Sequence, residues 1–459
     1  MQADVSSQAI SPSEVPQTPP SPPRVWSSQL SQHVGDRVRV SGWLHRLRQL
    51  STVSFLILRD GKGLMQIVIE DAELSAELGR LYHESVLTVT ATVVASPQAP
   101  GGVELHQPEV EVLSAASTPP PFDLFRPALN AQLPTQLDYA ALSLRHLQRR
   151  AAARIAAASM AGFRNTLQSQ DFVEIQTPKI VASATESGAN VFTIDYFGTP
   201  AYLAQSPQFY KQMMVGVFER VFEVGPVFRA EPHSTPRHLN EYVSMDAEFG
   251  FIENHQTVMQ MLTEVLRGML DAIQSQAVDA LALVRAAQPE LSLPLMPHTV
   301  PVIHFADAME LIYRETGEDA RHEPDFAPSH ERWLGAWALK EHQSDFLFVE
   351  GYPMVKRPFY THPDPARPDY SNSFDLLFRG VEMVTGGQRL HQYADYQAAL
   401  ARHSLSPEAF AGYLAVFEFG MPPHGGFAIG LERWVSRLLN IANVREVTLF
   451  PRDLERLTP

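Results

Sequence analysis

The chain contains no cysteine. That excludes a disulfide framework, a thiolate nucleophile, and any zinc or iron–sulfur site built on cysteine. No apolar run approaches the roughly 18 to 20 residues a membrane helix needs. The opening Met1-Gln2-Ala3-Asp4 has neither a basic stretch nor an apolar core, so a soluble, cytoplasmic protein without membrane contact is expected. Phosphate-cradling loops are missing as well: neither G-x-x-x-x-G-K-[ST] nor a post-strand G-x-G-x-x-G occurs. Nor is there a G-x-S-x-G elbow or an H-E-x-x-H helix. Any nucleotide used here has to be held by arginines and a divalent metal. Positive charge is scarce: 36 Lys+Arg against 51 Asp+Glu leaves −15, with a pI near 5.6. A whole-surface polycation is excluded, and a polyanionic partner would have to meet a local basic patch.

What is present suits two or three domains: 459 residues, 45% of them hydrophobic. Residues 1–24 hold six prolines and five serines and predict a disordered tail. From Arg37 onward short runs alternate with period two, among them Phe55–Leu58, Leu64–Ile69, Leu87–Val94 and Val103–Leu113. Turn-like breaks such as Asp60–Gly63 and Gln98–Gly102 separate them, and a small helix is expected near Glu73–Tyr82. About five such strands predict a β-barrel of OB type over residues 25–117. Within residues 31–68 six Lys/Arg meet two acids, a local +4 that reads as a solvated face or a polyanion site. Prolines 119–121, 127 and 134 mark residues 118–141 as a hinge-like linker.

The remainder, 142–459, opens on a long Ala-rich helix to about Gln168 that carries Arg145, Arg149, Arg150, Arg154 and Arg164. Strand-like runs then lie close together in sequence with few β–α–β crossovers, which predicts an α+β domain with a mixed, largely antiparallel sheet flanked by helices. Four segments place charge where strands should be apolar. Phe228-Arg229-Ala230-Glu231 is followed by Arg237-His238 and by Asp246 and Glu248 inside an apolar strand. Alternation puts those two carboxylates on one face, where they repel unless cations or a metal sit between them; a structural ion-pair network would do as well. Gln205–Lys211 turns into a helix, for which Ser206 could be the N-cap and Pro207 the first residue. Asp375, Glu382, Thr385 and Arg389 offer an acidic pair, a hydroxyl and a cation, a set that suits Mg²⁺ bound together with phosphate. Gly425–Arg433 is a glycine-punctuated strand entering a helix, open to a planar ligand and ending on an arginine.

In this order the four segments resemble those of class II aminoacyl-tRNA synthetases, over residues 30–459. Phe172–Pro178 resembles their motif 1, Phe228–Glu248 motif 2 and Gly426–Arg433 motif 3, with Ala428 where glycine is common. The N-terminal barrel narrows the resemblance to the lysyl, asparaginyl and aspartyl subclass. Ala204–Gln212, Arg237–Glu241 and the ending Leu449–Pro459 are similar to archaeal-type aspartyl-tRNA synthetases. The resemblance implies ATP and Mg²⁺, a homodimer with Pro178 at its interface, and an anticodon-binding role for the barrel. It implies that Glu186, Ser206, Gln208, Lys211, Asp246, Thr385 and Arg389 bind L-aspartate. Arg229 and Arg433 would be catalytic phosphate clamps. Glu231, Arg237, His238, Tyr242, Glu382 and Gly430 would complete the ATP site, and Asp375 and Glu382 would hold the metal.

Lys211 and Arg389 favour an aspartate carboxylate over an asparagine amide, whose NH₂ would oppose both cations. In the barrel, Phe55, Gln66 and Glu104 fall where the family reads anticodon bases, although Phe55 alone could be a core residue. Stricter family members carry Trp and Lys where this chain has His45 and Pro100. That resembles the relaxed type, which charges tRNA-Asn as well as tRNA-Asp and passes Asp-tRNA-Asn to a tRNA-dependent amidotransferase. A discriminating aspartyl enzyme, an asparaginyl enzyme, an asparagine synthetase paralogue and a non-catalytic RNA-binding protein are the alternatives.

Overall fold

The computed structural model describes residues 22–182 and 190–458, and the chain divides between Asn130 and Ala131 into two compact units. Most of the expected tail lies outside the described residues. The first unit contains β1 (Arg37–Gln49), β2 (Ser54–Arg59), β3 (Leu64–Ile69), helix α1 (Ala72–Leu78), β4 (Val86–Ala95) and β5 (Val103–Ser114). The strands close into a barrel in the order β1-β2-β3-β5-β4. Period two is the cause: Leu56, Leu58, Met65, Ile67, Leu87 and Val89 all point inward and are fully buried. Burying each such side chain contributes roughly 1.5–3 kcal/mol. The alternation is interrupted in β1, as it is where β4 pairs with β5. Leu44 pairs with Leu58 and Arg46 with Ile57, so His45 is the extra residue of a β-bulge.

The second unit begins with α2 (Leu133–Asp138), α3 (Ala140–Ser143) and α4 (Leu147–Gln168), followed by β6 (Val173–Glu174), β7 (Ile180–Val181), β8 (Thr193–Tyr196) and β9 (Thr199–Leu203). Next come α5 (Gln208–Phe218), β10 (Arg220–Phe228), β11 (Glu241–Gly250), α6 (His255–Gln276) and α7 (Val278–Ala287). Then follow β12 (Val302–His304), α8 (Phe305–Thr316), α9 (Pro328–His342), β13 (Phe346–Glu350), β14 (Ser373–Phe378) and β15 (Glu382–Gln388). The unit ends with α10 (Tyr393–Arg402), α11 (Ala411–Glu418), β16 (His424–Gly430) and α12 (Leu431–Leu438). Its eight-stranded sheet runs β12-β13-β14-β15-β16-β11-β10-β6. All the inner pairings are antiparallel; only the two edge strands, β12 and β6, run parallel to their neighbours.

Helices α4 and α6 cross this sheet and share its main core, with Ile155, Phe163, Leu262, Leu266, Phe222 and Phe427 fully buried. The helices approach closely because Gly268 faces Thr166, where a methyl group would collide with the hydroxyl. Trp434 on α12 is fully buried and donates from Nε1 to Ser159 Oγ on α4 at 3.1 Å.

Two expectations need correction. Residues 133–138 are helical rather than extended linker, because Pro134 occupies the first turn, where its missing N–H costs nothing. The arginines at 145–164, whose run along one helix suggests a basic landing face for a polyanion, are tied down within the unit: Arg149 donates to Gln136 and to Glu446 O, and Arg164 donates to Glu174.

Candidate active site

Strands β11, β16, β15 and β14 lie side by side and present one polar face. Register places Glu248 opposite Gly426, Asp246 opposite Ala428, Ala428 opposite Thr385, and Thr385 opposite Asp375. Helix α5 brings Lys211 down onto this face. The helix starts at Gln208 with Pro207 as its N-cap, one residue later than expected, and Ser206 makes no capping bond. Ser206 instead lines the cavity above the sheet.

The carboxylate pair is held by cations. Lys211 Nζ lies 3.0 Å from Asp246 Oδ1 and 3.4 Å from Glu248 Oε2. Arg389 Nε donates to Glu248 Oε1 at 2.9 Å, and its Nη2 donates to Gly426 O at 3.1 Å. The Ser244 hydroxyl donates to Asp246. Burial pushes the Glu248 carboxyl up, but the Arg389 and Lys211 charges outweigh it and hold Glu248 below the usual carboxylate range. Two positive and two negative groups, all buried, therefore cancel. Lys211 and Arg389 border the cavity while Asp246 and Glu248 lie beneath them. Gly426 permits this arrangement, because any Cβ there would overlap the Glu248 carboxylate. The two alternatives for the carboxylates thus merge: an ion-pair network supports a pair of ligand-facing cations.

The cavity, about 250 Å³, continues past these cations to Gln208, Arg229, Glu231, Arg237, His238, Tyr242, Glu382, Thr385, Gly430 and Arg433. The Arg229 guanidinium lies 6.0 Å from the Tyr242 ring centre. His238 is held below its usual pKa by burial and by the cations Arg433 and Arg237, against the pull of Glu231. Arg433 Nη1 donates to Glu382 O at 3.1 Å. Glu382 borders the cavity, whereas Asp375 is buried below it and paired with Arg357 at 3.1 Å. Burial, with Glu382 adding and Arg357 opposing, pushes the Asp375 carboxyl up to about 6. Among the described residues no three metal-ligating side chains converge. Asp375 and Glu382 repel each other, and Asp375 Oδ1 is buried with no hydrogen-bond partner among the described residues. A cation shared with a phosphate ligand fits these two groups, while an all-protein metal cage does not.

A model of tRNA synthetases class II (D, K and N) matches residues 132–454. The chain belongs to the class II tRNA synthetases of this group. An OB-fold nucleic acid binding domain matches residues 38–113. The chain is 44% identical to an Aspartate--tRNA(Asp/Asn) ligase of Deinococcus radiodurans, over 95% of this chain and 99% of that one. It is 37% identical to an Aspartate--tRNA(Asp) ligase of Pyrococcus horikoshii, with the same coverage. The solved asparaginyl-tRNA synthetase of Pyrococcus horikoshii, complexed with asparaginyl-adenylate, superposes with a TM-score of 0.86 at 27% identity, covering 95% of this chain and 99% of that one. Proteins of three specificities thus resemble this chain over nearly its whole length, and the choice among them has to be sought in side chains.

Within this synthetase family the barrel is the nucleic-acid-binding part. Phe55, Ile57 and Gln66 lie on its outer face with Arg46 and Arg48 opposite in register, and Gln66 Nε2 donates to Glu104 Oε2 at 3.0 Å. Phe55 is only half-buried and is no core residue; its neighbours Leu56 and Leu58 fill the core. His45 does not join this group. At the bulge it is only 5% exposed and lines a cavity of about 280 Å³ with Tyr82, His83, Phe122 and Leu124. Pro100 is exposed in the turn Pro100–Gly102 between β4 and β5. Pro178 is exposed just after the edge strand β6, and Glu186 lies outside the described residues.

Several buried polar residues of the site escaped sequence reading. Arg357 lines the cavity within the connection between β13 and β14; the run Lys356-Arg357-Pro358-Phe359-Tyr360 was the available signal. Gln212 Oε1 meets the hydroxyls of Tyr396 at 3.0 Å and Tyr413 at 2.8 Å, and His424 Nε2 at 3.1 Å, a buried junction behind Lys211 and Arg389. Glu432 borders the cavity beside Arg433, accepts from Val243 N, and is pushed up to about 7 by burial.

Proposed function

We propose that the chain is an aspartate–tRNA ligase that activates L-aspartate with ATP and charges both tRNA-Asp and tRNA-Asn. The observation that carries this is the pair Lys211 and Arg389, bordering the cavity and held from below by Asp246 and Glu248. A β-carboxylate entering the cavity meets two preoriented cations. An asparagine amide would turn N–H donors toward them and leave them unmatched, at a cost of about 1–3 kcal/mol or more. Ser206, Gln208 and Thr385 border the same end and would hold the rest of the amino acid, with Glu186 closing over its ammonium group.

Arg229 and Arg433 would clamp the phosphates, with Tyr242 under the adenine and Glu231, Arg237, His238 and Gly430 around the nucleotide. The aspartate α-carboxylate attacks the α-phosphorus in line, giving aspartyl-adenylate and pyrophosphate. The terminal ribose hydroxyl of tRNA then takes the aspartyl group and releases AMP. No protein nucleophile takes part, so the residues act by positioning and by neutralising charge. Asp375 and Glu382 would hold Mg²⁺, which supplies further neutralisation of phosphate charge.

Dual charging is supported by the name of the 44% identical relative and by His45 and Pro100 in the barrel. Because His45 is buried at a bulge, its influence would run through the shape of β1 rather than through an exposed contact. Asp-tRNA-Asn formed in this way would require a tRNA-dependent amidotransferase downstream. A homodimer is supported by Pro178, Ile180 and Val173, which are exposed near the free edge of the large sheet. No helix among the described residues is long and apolar enough to cross a membrane, and a cytoplasmic location is part of the same proposal.

Two assays test it. Purified protein should catalyse pyrophosphate exchange that depends on aspartate and not on asparagine. It should also aspartylate transcripts of both tRNAs; a rate ratio of thousands in favour of tRNA-Asp would leave the ligase and remove the dual charging.

A further inference from the structure

Arg357 stands outside the segments that carry the family resemblance, yet it borders the cavity, where its partner Asp375 lies opposite Thr385 in register. Its guanidinium lies 4.1 Å from the Tyr352 ring centre. Its Nη2 donates to Asp375 Oδ2 at 3.1 Å, and the two side chains are 11% and 8% exposed. A buried arginine–carboxylate pair that serves stability alone closes as a fork, two parallel N–H···O bonds that satisfy both partners. This pair does not. Among the described residues Arg357 Nε is buried without a hydrogen-bond partner, whereas Asp375 has the Tyr352 hydroxyl beside it as well as Nη2. Of the five N–H donors of a guanidinium, one, on Nη2, meets an acceptor among the described residues. Unmet donors on a buried, permanently charged group bordering a cavity are costly in isolation and become favourable once an anion arrives.

The surroundings indicate which anions. Glu382, Thr385 and Arg433 border the same cavity, and Arg433 Nη1 is bonded to Glu382 O. Arg389, at the amino-acid end, lies 5.6 Å from the ring centre of Tyr360, three residues beyond Arg357. Arg357 thus borders the region where, in the proposed reaction, the α-carboxylate of aspartate meets the α-phosphate of ATP. We propose that Arg357 is a substrate-contacting residue that donates to an oxyanion of this reacting pair while its Nη2 keeps Asp375 in place.

This inference rests on the proposed ligase activity, and the test separates the two. Arg357→Lys keeps a positive charge beside Asp375 but loses the planar fork. If Arg357 serves the oxyanion, kcat/KM for aspartate-dependent pyrophosphate exchange should fall roughly 30-fold or more. The thermal midpoint should stay near wild type, because the buried charge pair survives. Calorimetric titration of the full-length variant with MgATP and, separately, with L-aspartate identifies the anion. Weaker MgATP binding assigns the phosphate, and weaker aspartate binding assigns the carboxylate. If exchange stays within about threefold of wild type and both affinities are unchanged, Arg357 only neutralises Asp375 and the proposal is overturned. Arg357→Gln strands the Asp375 charge and can misfold, so the lysine variant decides. Absence of exchange in the wild-type protein would remove the ligase activity itself.

Discussion

The two ends of the cavity solve the problem of buried charge in opposite ways. At the amino-acid end, Lys211, Arg389, Asp246 and Glu248 cancel one another, and each makes at least one close ionic contact. At the phosphate end, Asp375 is pushed up to about 6, Glu432 to about 7, and Arg357 keeps an unmet donor. In the proposed ligase the first end would distinguish one carboxylate from one amide because Asp246 and Glu248 already hold its cations in place. The second end is under-satisfied until a polyanion brings the missing acceptors and charge. Selectivity thus resides where charge is balanced, and substrate-driven assembly where it is not.

The sharpest way to break this contrast is Arg389→Ala. It leaves Glu248 buried with less than its full counter-charge, so we expect aspartate-dependent exchange to fall by three or more orders of magnitude and stability by about 3–5 kcal/mol. Exchange kinetics and denaturant melts check both. If exchange stayed near wild type, the assignment of the amino-acid end would be wrong. Gly426→Ala should act next most strongly, by driving a methyl group against Ala247 O of the paired strand and against the Glu248 carboxylate. It should raise KM for aspartate about 100-fold with far less effect on KM for ATP. Equal changes in both would show that the two ends are not separable.

Phe55→Ala leaves both ends intact and removes a candidate stacking surface in the other unit. We expect kcat/KM for tRNA aspartylation to drop by about 1–3 kcal/mol, roughly 10- to 100-fold, with pyrophosphate exchange unchanged. Loss of exchange would place Phe55 in the barrel's stability instead.

The smallest expected effect probes the under-satisfied end. The folded-state pKa of Glu432, about 7, lies above its ordinary value of 4.5. The folded chain therefore binds this proton more tightly than the unfolded chain does. The resulting stabilisation is complete below about pH 4.5 and is lost as pH rises through about 7. The N-terminal turn of α12 favours the ionised form and offsets part of it, so about 1–2 kcal/mol should disappear by pH 8.5. Thermal melts from pH 5 to 8.5 should show this slope in the wild type and a flatter one in Glu432→Gln. Parallel curves would mean that Glu432 is ionised throughout.

Much of the barrel was legible because β-strand burial has a period of two and most inward positions are apolar; Leu56, Leu58, Met65 and Ile67 announce themselves. His45 was not, since a bulge inserts one residue without any composition signal and reverses which side faces the core. In the catalytic unit, Asp246 and Glu248 stood out as carboxylates in an apolar strand. That Lys211 and Arg389 sit between them required α5 and the end of β15, some 35 and 141 residues away, to converge on β11. Arg357 and Gln212 were invisible for the same reason: their significance lies in partners that chain distance does not encode.

Composition, period and motif order settle the family, the two kinds of sheet and the residue types that handle phosphate and carboxylate, because these depend on local pattern and on chemistry that each side chain carries with it. Charge balance is different in kind. Whether a buried lysine is already neutralised, or an arginine still has donors to spend, depends on distances of about 3 Å between residues far apart in the chain, since Coulomb and hydrogen-bond energies fall away steeply beyond contact. Only folding sets those distances, and here it pairs Lys211 and Arg389 fully while leaving the Arg357–Asp375 pair half satisfied.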